Sequence, residues 1–150
     1  MQSAGPRLTA ASSGNELFLS QPPDGLPGEL ALEWNTVCRE QCGLLLEAQP
    51  DTAGQFLAAL RPHLRAPVHE YRTRVGVPAP RPTEGSVIVL EVAKLGPGEQ
   101  AALLAWLAEC QGRVQVAATS SEPLYPLVER GSFDAALYYR LNIVRIAIYP

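Results

Sequence analysis

Continuous apolar runs alternate with segments of helical periodicity along most of the chain. The runs GLLLEA (residues 43–48) and SVIVLEV (residues 86–92) are typical of strands buried on both faces of a sheet. VQVAAT (residues 114–119) and IVRIAI (residues 143–148) predict two more strands, and residues 67–72 predict a strand at a sheet edge. The pattern therefore predicts five strands.

The segments between these runs carry apolar residues at helical spacing. Helices are predicted over residues 29–41, 52–64, 97–111, 124–130 and 135–139. Pro97 suits the first turn of its helix, whereas Pro62 is expected to bend or end the helix that contains it. Strands that alternate with helices imply a parallel sheet with right-handed crossovers, so the expected fold class is α/β.

Composition divides the chain into two parts. Residues 1–28 are rich in Ser, Gly and Pro and predict a flexible tail, in which only ELFLS (residues 16–20) is a candidate for local order. Residues 29–150 are expected to form one domain, because 47% of the 150 residues are apolar and only 18% are charged. Within that domain, residues 73–85 contain three prolines and predict a loop.

Charge and hydropathy argue against several classes of function. The net charge is −3 and Lys and Arg do not cluster, so direct nucleic-acid binding is not expected. No apolar run has the length of a membrane span, and the N-terminus lacks the apolar core of a signal peptide. We therefore expect a cytoplasmic protein without membrane contact.

The three cysteines, Cys38, Cys42 and Cys110, do not suggest a disulfide framework. His63 and His69 could complete a zinc set, but the spacing is not that of a structural zinc site. Buried or half-buried thiols are the favoured interpretation, and we expect neither a metal nor a cofactor.

Two phrases carry a family resemblance. They are EGSVIVLEVAKL (residues 84–95) and VQVAATSSEPL with GSFDAALYYRLNI (residues 114–143). Together they resemble the AAA+ domain of bacterial enhancer-binding proteins, the sigma-54 interaction domain. The resemblance covers residues 29–150 and is most specific at GSFDAALYYRLN. It implies a three-layer α-β-α sandwich with a five-stranded parallel sheet in the order 5-1-4-3-2. Since the sequence ends at Pro150, no C-terminal lid or helix-turn-helix is expected.

The family's phosphate-binding loop corresponds to AQPDTAGQ (residues 48–55). Thr52 is retained, but the three family glycines are replaced by Ala48, Asp51 and Ala53, and the family lysine by Gly54. Asp51 would place a negative charge near phosphate oxygens, and the absent lysine removes a bond worth roughly 1.5–3 kcal/mol. The favoured interpretation is an ordinary strand–turn–helix corner.

The remaining motif positions are also altered. The resemblance places Leu90 at the metal-binding aspartate and Glu91 at the glutamate that polarises water. Thr119 matches the family, whereas Ser120 replaces the sensor asparagine. The expected vestigial nucleotide site comprises Asp51, Thr52, Gly54, Leu90, Glu91, Thr119 and Ser120, and none of these is expected to be catalytic.

The two finger arginines of the family fall on Asp134 and Arg140. Arg140 could act on a neighbouring subunit or could be an ordinary ion-pair residue. Tyr138, Tyr139 and Arg140 form a candidate protein interface, with burial of both tyrosine rings as the alternative. The family's sigma-contacting motif, Gly-Ala-Phe-Thr-Gly-Ala, is missing from residues 71–85.

These features favour a catalytically inactive AAA+ domain of the sigma-54-activator type. It is expected to bind protein as a regulatory module in transcriptional control or signalling, with an AAA+ activator or a signalling protein as partner. One alternative is an ATP-binding, sigma-54-dependent activator. The other is a structural scaffold unrelated to transcription. The oligomeric state stays open.

Overall fold

A computed structural model describes residues 28–72 and 82–149 of the chain. The expected tail therefore falls outside the described residues except for Gly28, as do ELFLS and most of the expected loop. Five strands form one sheet: β1 (Leu44–Ala48), β2 (Val68–Arg72), β3 (Gly85–Leu90), β4 (Val114–Ser120) and β5 (Val144–Ile148). Their spatial order is β2-β3-β4-β1-β5 and every neighbouring pair is parallel, which confirms the expected order 5-1-4-3-2.

Among the described residues, five α-helices accompany these strands. They are α1 (Ala31–Glu40), α2 (Pro50–Leu60), α3 (Pro97–Cys110), α4 (Tyr125–Glu129) and α5 (Ala135–Leu141). Pro62 ends α2 as expected, because the chain passes into a 3-10 turn over Arg61–His63. Further 3-10 turns cover Gly28–Leu30 and Val92–Lys94. Within the described ranges, no helix combines the length and the apolar character that crossing a bilayer requires.

The helices cover both faces of the sheet. On one face α1 and α2 pack against β1, and the rings of Trp34 and Phe56 meet edge to face at 5.2 Å. On the other face α3, α4 and α5 bury Trp106, Leu127 and Leu137 against the sheet. This arrangement confirms the expected three-layer sandwich.

Strand β3 ends earlier than the sequence pattern predicted. Glu91 has φ 60° and ψ 53°, so the backbone turns into the left-handed region directly after Leu90. Val92 then enters the core with 0% exposure. The expectation that the strand continues to Val92 was wrong, because an apolar residue can reach the core from a turn as well as from a strand.

The space available for a side chain differs sharply between two glycines. Gly85 has φ +82°, and a Cβ built there would lie 2.2 Å from the carbonyl oxygen of Pro67. Gly54 lies within α2, and a Cβ there meets nothing within 4 Å.

We predict that Gly85→Ala destabilises the domain by more than about 1 kcal/mol, whereas Gly54→Ala stabilises it by about 0.5–1 kcal/mol. Urea unfolding of both variants beside the parent chain measures the two free energies. Loss of stability in Gly54→Ala would show that residue 54 does not lie in an unstrained helix.

Candidate functional site

The carboxyl ends of β2, β3 and β4 face a cleft of about 290 Å³ beside α2. Four residues of the expected vestigial site line it: Gly54, Leu90, Glu91 and Thr119. Asp51 and Thr52 lie in the first turn of α2, and Ser120 ends β4. The structure therefore gathers the predicted residues at one edge of the sheet, although not all of them line the cleft.

A single residue, Gln49, connects β1 to α2. Gln49 is extended, with φ −62° and ψ 154°, and Pro50 occupies the first turn of the helix. The backbone N–H of Ala53 already donates to the carbonyl of Gln49 over 2.8 Å. A phosphate-binding loop instead requires several free backbone N–H groups between strand and helix. Of the residues that correspond to such a loop, 50–55 are here part of the helix.

Asp51 and Gly54 have ordinary roles in this helix. The exposed Asp51 lies in the first turn, where a carboxylate interacts favourably with the positive end of the helix dipole. Gly54 is exposed on the surface of α2 and supplies no side chain to the cleft. The helix start thus presents a negative charge and no lysine.

The corner at which the family holds a metal ion is also altered. Leu90, at the end of β3, offers no oxygen ligand there. Glu70 at the cleft pairs with Arg61, and Glu91 Oε1 accepts from the backbone N–H of Ser121 (3.3 Å) and its hydroxyl (3.0 Å). Among residues 28–72 and 82–149, no three His, Cys, Asp or Glu side chains are grouped so as to hold a metal.

At the end of β4, Thr119 holds the turn after β3 and Ser120 holds the turn after β4. The Thr119 hydroxyl accepts from the backbone N–H of Glu91 at 3.0 Å, which fixes the left-handed residue that ends β3. The Ser120 hydroxyl donates to the carbonyl of Glu122 and accepts its N–H at 3.2 Å. Both hydroxyls therefore hold backbone in place at the carboxyl edge.

Sequence reasoning missed Glu47, a fully buried carboxylate in β1 with 0% exposure. Its Oε1 accepts from Arg145 Nη2 (2.7 Å), Arg145 Nε (3.1 Å) and the Tyr149 hydroxyl (3.1 Å). Its Oε2 accepts from the backbone N–H of Leu124 at 3.1 Å. The available signal was a lone carboxylate in the apolar run GLLLEA and a lone arginine in IVRIAI, on strands that pair.

Burial and the Glu47 carboxylate raise the pKa of Tyr149 to about 12. The hydrogen bonds to Glu47 are also the largest cause of the raised pKa of Arg145. This cluster connects β1, β5 and the residue before α4, so it holds together three segments near the corner between β1 and α2.

The candidate interface divides into buried and exposed parts. Tyr138 is only 5% exposed, and its ring packs 5.8 Å from Tyr125 and 5.2 Å from Tyr139. The inward face of α5 carries Tyr138 into the core, so its ring offers little surface to a partner. Tyr139 is 62% exposed and Arg140 is exposed, so these two remain available to a partner.

Asp134, at the first finger position, caps α5. Its side chain accepts from the backbone N–H of Leu137 at 2.9 Å, an N-cap bond. The N–H of Asp134 donates to Gln100 Oε1 at 2.8 Å, and Gln100 Nε2 donates to the carbonyls of Leu95 and Ser132. The aspartate thus fixes the start of α5 against α3.

Comparison with known proteins extends this picture. Residues 72–150, slightly more than half of the chain, match the family model of the sigma-54 interaction domain. The phenol regulator MopR of Acinetobacter guillouiae is 39% identical over 77 residues, which cover 44% of this chain and 14% of MopR. The chain therefore spans a small part of that relative's length.

Solved structures share the fold at low identity. NtrX from Brucella abortus, determined in complex with ATP, has a TM-score of 0.62 at 14% identity and covers 81% of this chain and 34% of NtrX. The P-loop NTPase domain of a sigma-54 transport activator from E. coli has a TM-score of 0.57 at 14% identity and covers 75% of this chain and 92% of that domain. These likenesses establish a P-loop NTPase fold of the AAA+ type.

The Glu47 cluster makes a prediction at alkaline pH. The unfolded chain loses the Tyr149 proton near pH 10, whereas the folded chain keeps it until about pH 12. The folded state then binds more protons than the unfolded state, so stability is complete below pH 10 and falls as the pH rises towards 12. Tyr149→Phe should therefore lose less stability between pH 8 and pH 11 than the parent chain does. Urea midpoints at the two pH values measure this, and equal losses would mean that Tyr149 does not carry the effect.

Proposed function

The chain belongs to the family of sigma-54 interaction domains, and we propose that it is a catalytically silent member that acts by binding another protein. In this proposal it neither holds Mg²⁺-ATP tightly nor hydrolyses it. It serves instead as a regulatory module in transcriptional control or signalling.

The observation that carries the proposal is the one-residue connection between β1 and α2. Gln49 alone cannot form a loop of N–H donors around phosphate oxygens. Rebuilding such a loop would require unwinding the first turns of α2, which bury Ala53 and Phe56 in the core. The lost packing of an aromatic ring alone costs about 3–5 kcal/mol, more than one nucleotide contact would return.

The chemistry of the cleft supports the same conclusion. Without a lysine, a nucleotide would lose roughly 1.5–3 kcal/mol, or about one to two decades of affinity. Leu90 removes the oxygen ligand for Mg²⁺, and Glu91 is held by Ser121. Each of these changes acts against nucleotide binding.

A protein partner is supported by the surface of α5. Tyr139 and Arg140 are adjacent and exposed, and aromatic and arginine residues are the commonest anchors of protein interfaces. The matched relative MopR is named as a phenol regulator, which suits a partner in transcriptional regulation such as an AAA+ activator. A signalling protein is the second candidate partner.

Two alternatives lead to different measurements. An ATP-binding activator requires nucleotide affinity, which the helical start of α2 opposes. A structural scaffold unrelated to transcription requires partners outside transcription and signalling. The identity of captured proteins therefore separates the scaffold from the regulatory module.

The proposal predicts that isothermal titration of the domain with Mg²⁺-ATP shows no binding at micromolar concentrations. The physical reason is the missing N–H loop together with Asp51 and the absent lysine. Saturable micromolar binding would contradict the proposal, and steady release of phosphate would restore an enzyme.

The proposal also predicts the effect of substituting Arg140. Since its side chain is exposed, Arg140→Ala should change the free energy of unfolding by less than about 0.5 kcal/mol. The same substitution should reduce capture of the native partner from cell extract, whereas Arg130→Ala, an exposed arginine after α4, should not. Unchanged capture, or unfolding of Arg140→Ala, would remove Arg140 from the interface.

A further inference from the structure

A second cleft, of about 280 Å³, lies at the opposite edge of the sheet. We name it the amino-edge cleft, because the amino ends of β1, β4 and β5 open onto it. Its lining comes from residues 41–43, from Arg65, from the stretch between residues 107 and 116, and from Arg140, Leu141 and Ile143. The exposed Arg140 thus stands at the rim of a concave site and not on a flat surface.

The floor and one side of this cleft are apolar. Leu107, Val116 and Leu141 are buried in the core beneath it, whereas Ile143 is 60% exposed at its rim. A volume of about 280 Å³ lies at the lower limit of small-molecule pockets, which start near 300 Å³. The space suits one apolar side chain of a partner better than a cofactor.

The charge of the lining has one sign. It contains two arginines, Arg65 and Arg140, and no Asp or Glu. No carboxylate of the described residues forms an ion pair with either arginine. Burial, together with the nearby carboxylates of Glu40 and Glu109, raises the pKa of the Cys42 and Cys110 thiols. Neither carboxylate lines the cleft.

Arg65 is held in place without a counter-ion. Its Nη1 donates to the carbonyl of Arg113 and its Nη2 to the carbonyl of Gln41, both at 3.2 Å. Its Nε is buried and has no acceptor among the described residues. A partly buried guanidinium that meets only neutral carbonyls leaves the cleft with uncompensated positive charge.

The buried polar side chain of the lining, Gln115, cannot provide that compensation. The buried Gln115 accepts from the backbone N–H of Arg65 (3.3 Å) and the Ser86 hydroxyl (3.4 Å), and donates to the carbonyl of Cys42 (3.0 Å). Both lone pairs of its Oε1 are therefore used, in bonds that join β4 to Arg65 and to β3. The positive charge of Arg65 is therefore available to a ligand that enters the cleft.

We propose that the amino-edge cleft binds a linear segment of a partner protein in which an apolar side chain is adjacent to an acidic one. The apolar side chain fills the cleft beside Ile143, and the carboxylate pairs with Arg140 in the field of Arg65. This inference rests on the proposed protein-binding function and names the chemistry of the partner.

Selection from a random displayed peptide library on the purified domain tests the inference. We expect the enriched peptides to pair an apolar residue with Asp or Glu. Fluorescence anisotropy with the best peptide should then show affinity that falls about tenfold or more in Arg140→Ala and weakens with added salt.

Two charge variants locate the binding site. Ile143→Glu places a carboxylate at the rim and should weaken peptide binding by about tenfold, because it repels the acidic residue. Leu32→Glu introduces the same carboxylate at a residue that is 73% exposed and outside the cleft, and should leave the affinity unchanged. Circular dichroism checks that both variants fold.

The remaining outcomes contradict the inference. Three results would each exclude the amino-edge cleft as this kind of site. They are enriched peptides without acidic residues, peptide affinity unchanged by substitution of Arg140 and Ile143, and no enrichment at all. Capture of the native partner could still succeed in those cases, which would leave the proposed function standing. Tight binding of Mg²⁺-ATP would instead overturn the proposed function, whatever the peptides show.

Discussion

The single residue between β1 and α2 constrains the whole carboxyl edge of the sheet. Gln49 is extended, Pro50 starts the helix, and the N–H of Ala53 bonds back to Gln49 at once. Because the helix begins here, its first turns pack Ala53 and Phe56 against the sheet. No loop residues beyond Gln49 remain between the strand and the helix to surround an anion. The cleft beside α2 is consequently bordered by a helix surface where the family resemblance placed a phosphate-binding loop.

The Glu47 cluster also stabilises that edge. A carboxylate with 0% exposure requires compensation, and Arg145, Tyr149 and the N–H of Leu124 provide it. The cluster spans β1, β5 and the start of α4, while Thr119 fixes the turn after β3. Internal hydrogen bonds thus hold the segments that meet at the corner.

Much of the fold could be predicted from the sequence. Uninterrupted apolar runs at residues 43–48, 86–92 and 114–119 correspond to the three central strands, and the family resemblance supplied their spatial order. The end of β3 could not be predicted, because the left-handed turn at Glu91 depends on a hydrogen bond that its N–H donates to Thr119, 28 positions away. The helix was predicted to begin at residue 52, whereas α2 begins at Pro50. Pro50 followed by Asp51 is typical of a helix N-terminus, but the family resemblance assigned these two residues to a loop.

The candidate sites were predictable to different degrees. Residue-by-residue comparison with the family found the positions at the carboxyl edge, whereas no local pattern revealed that Arg145 and Tyr149 converge on Glu47. Nor could spacing alone separate Tyr138 from Tyr139 before the direction of α5 was known. The amino-edge cleft depends on segments distant in the sequence, from Gln41 to Ile143, and only the folded sheet brings them together.

Amide hydrogen exchange across residues 49–55, with and without Mg²⁺-ATP, tests the central claim most directly. If α2 begins at Pro50, the amides from Ala53 onward exchange slowly, as helical amides do, and Mg²⁺-ATP leaves their rates unchanged. Fast exchange through Gly54 and Gln55 that becomes slow when Mg²⁺-ATP is added would show a phosphate-binding loop, and would contradict the account.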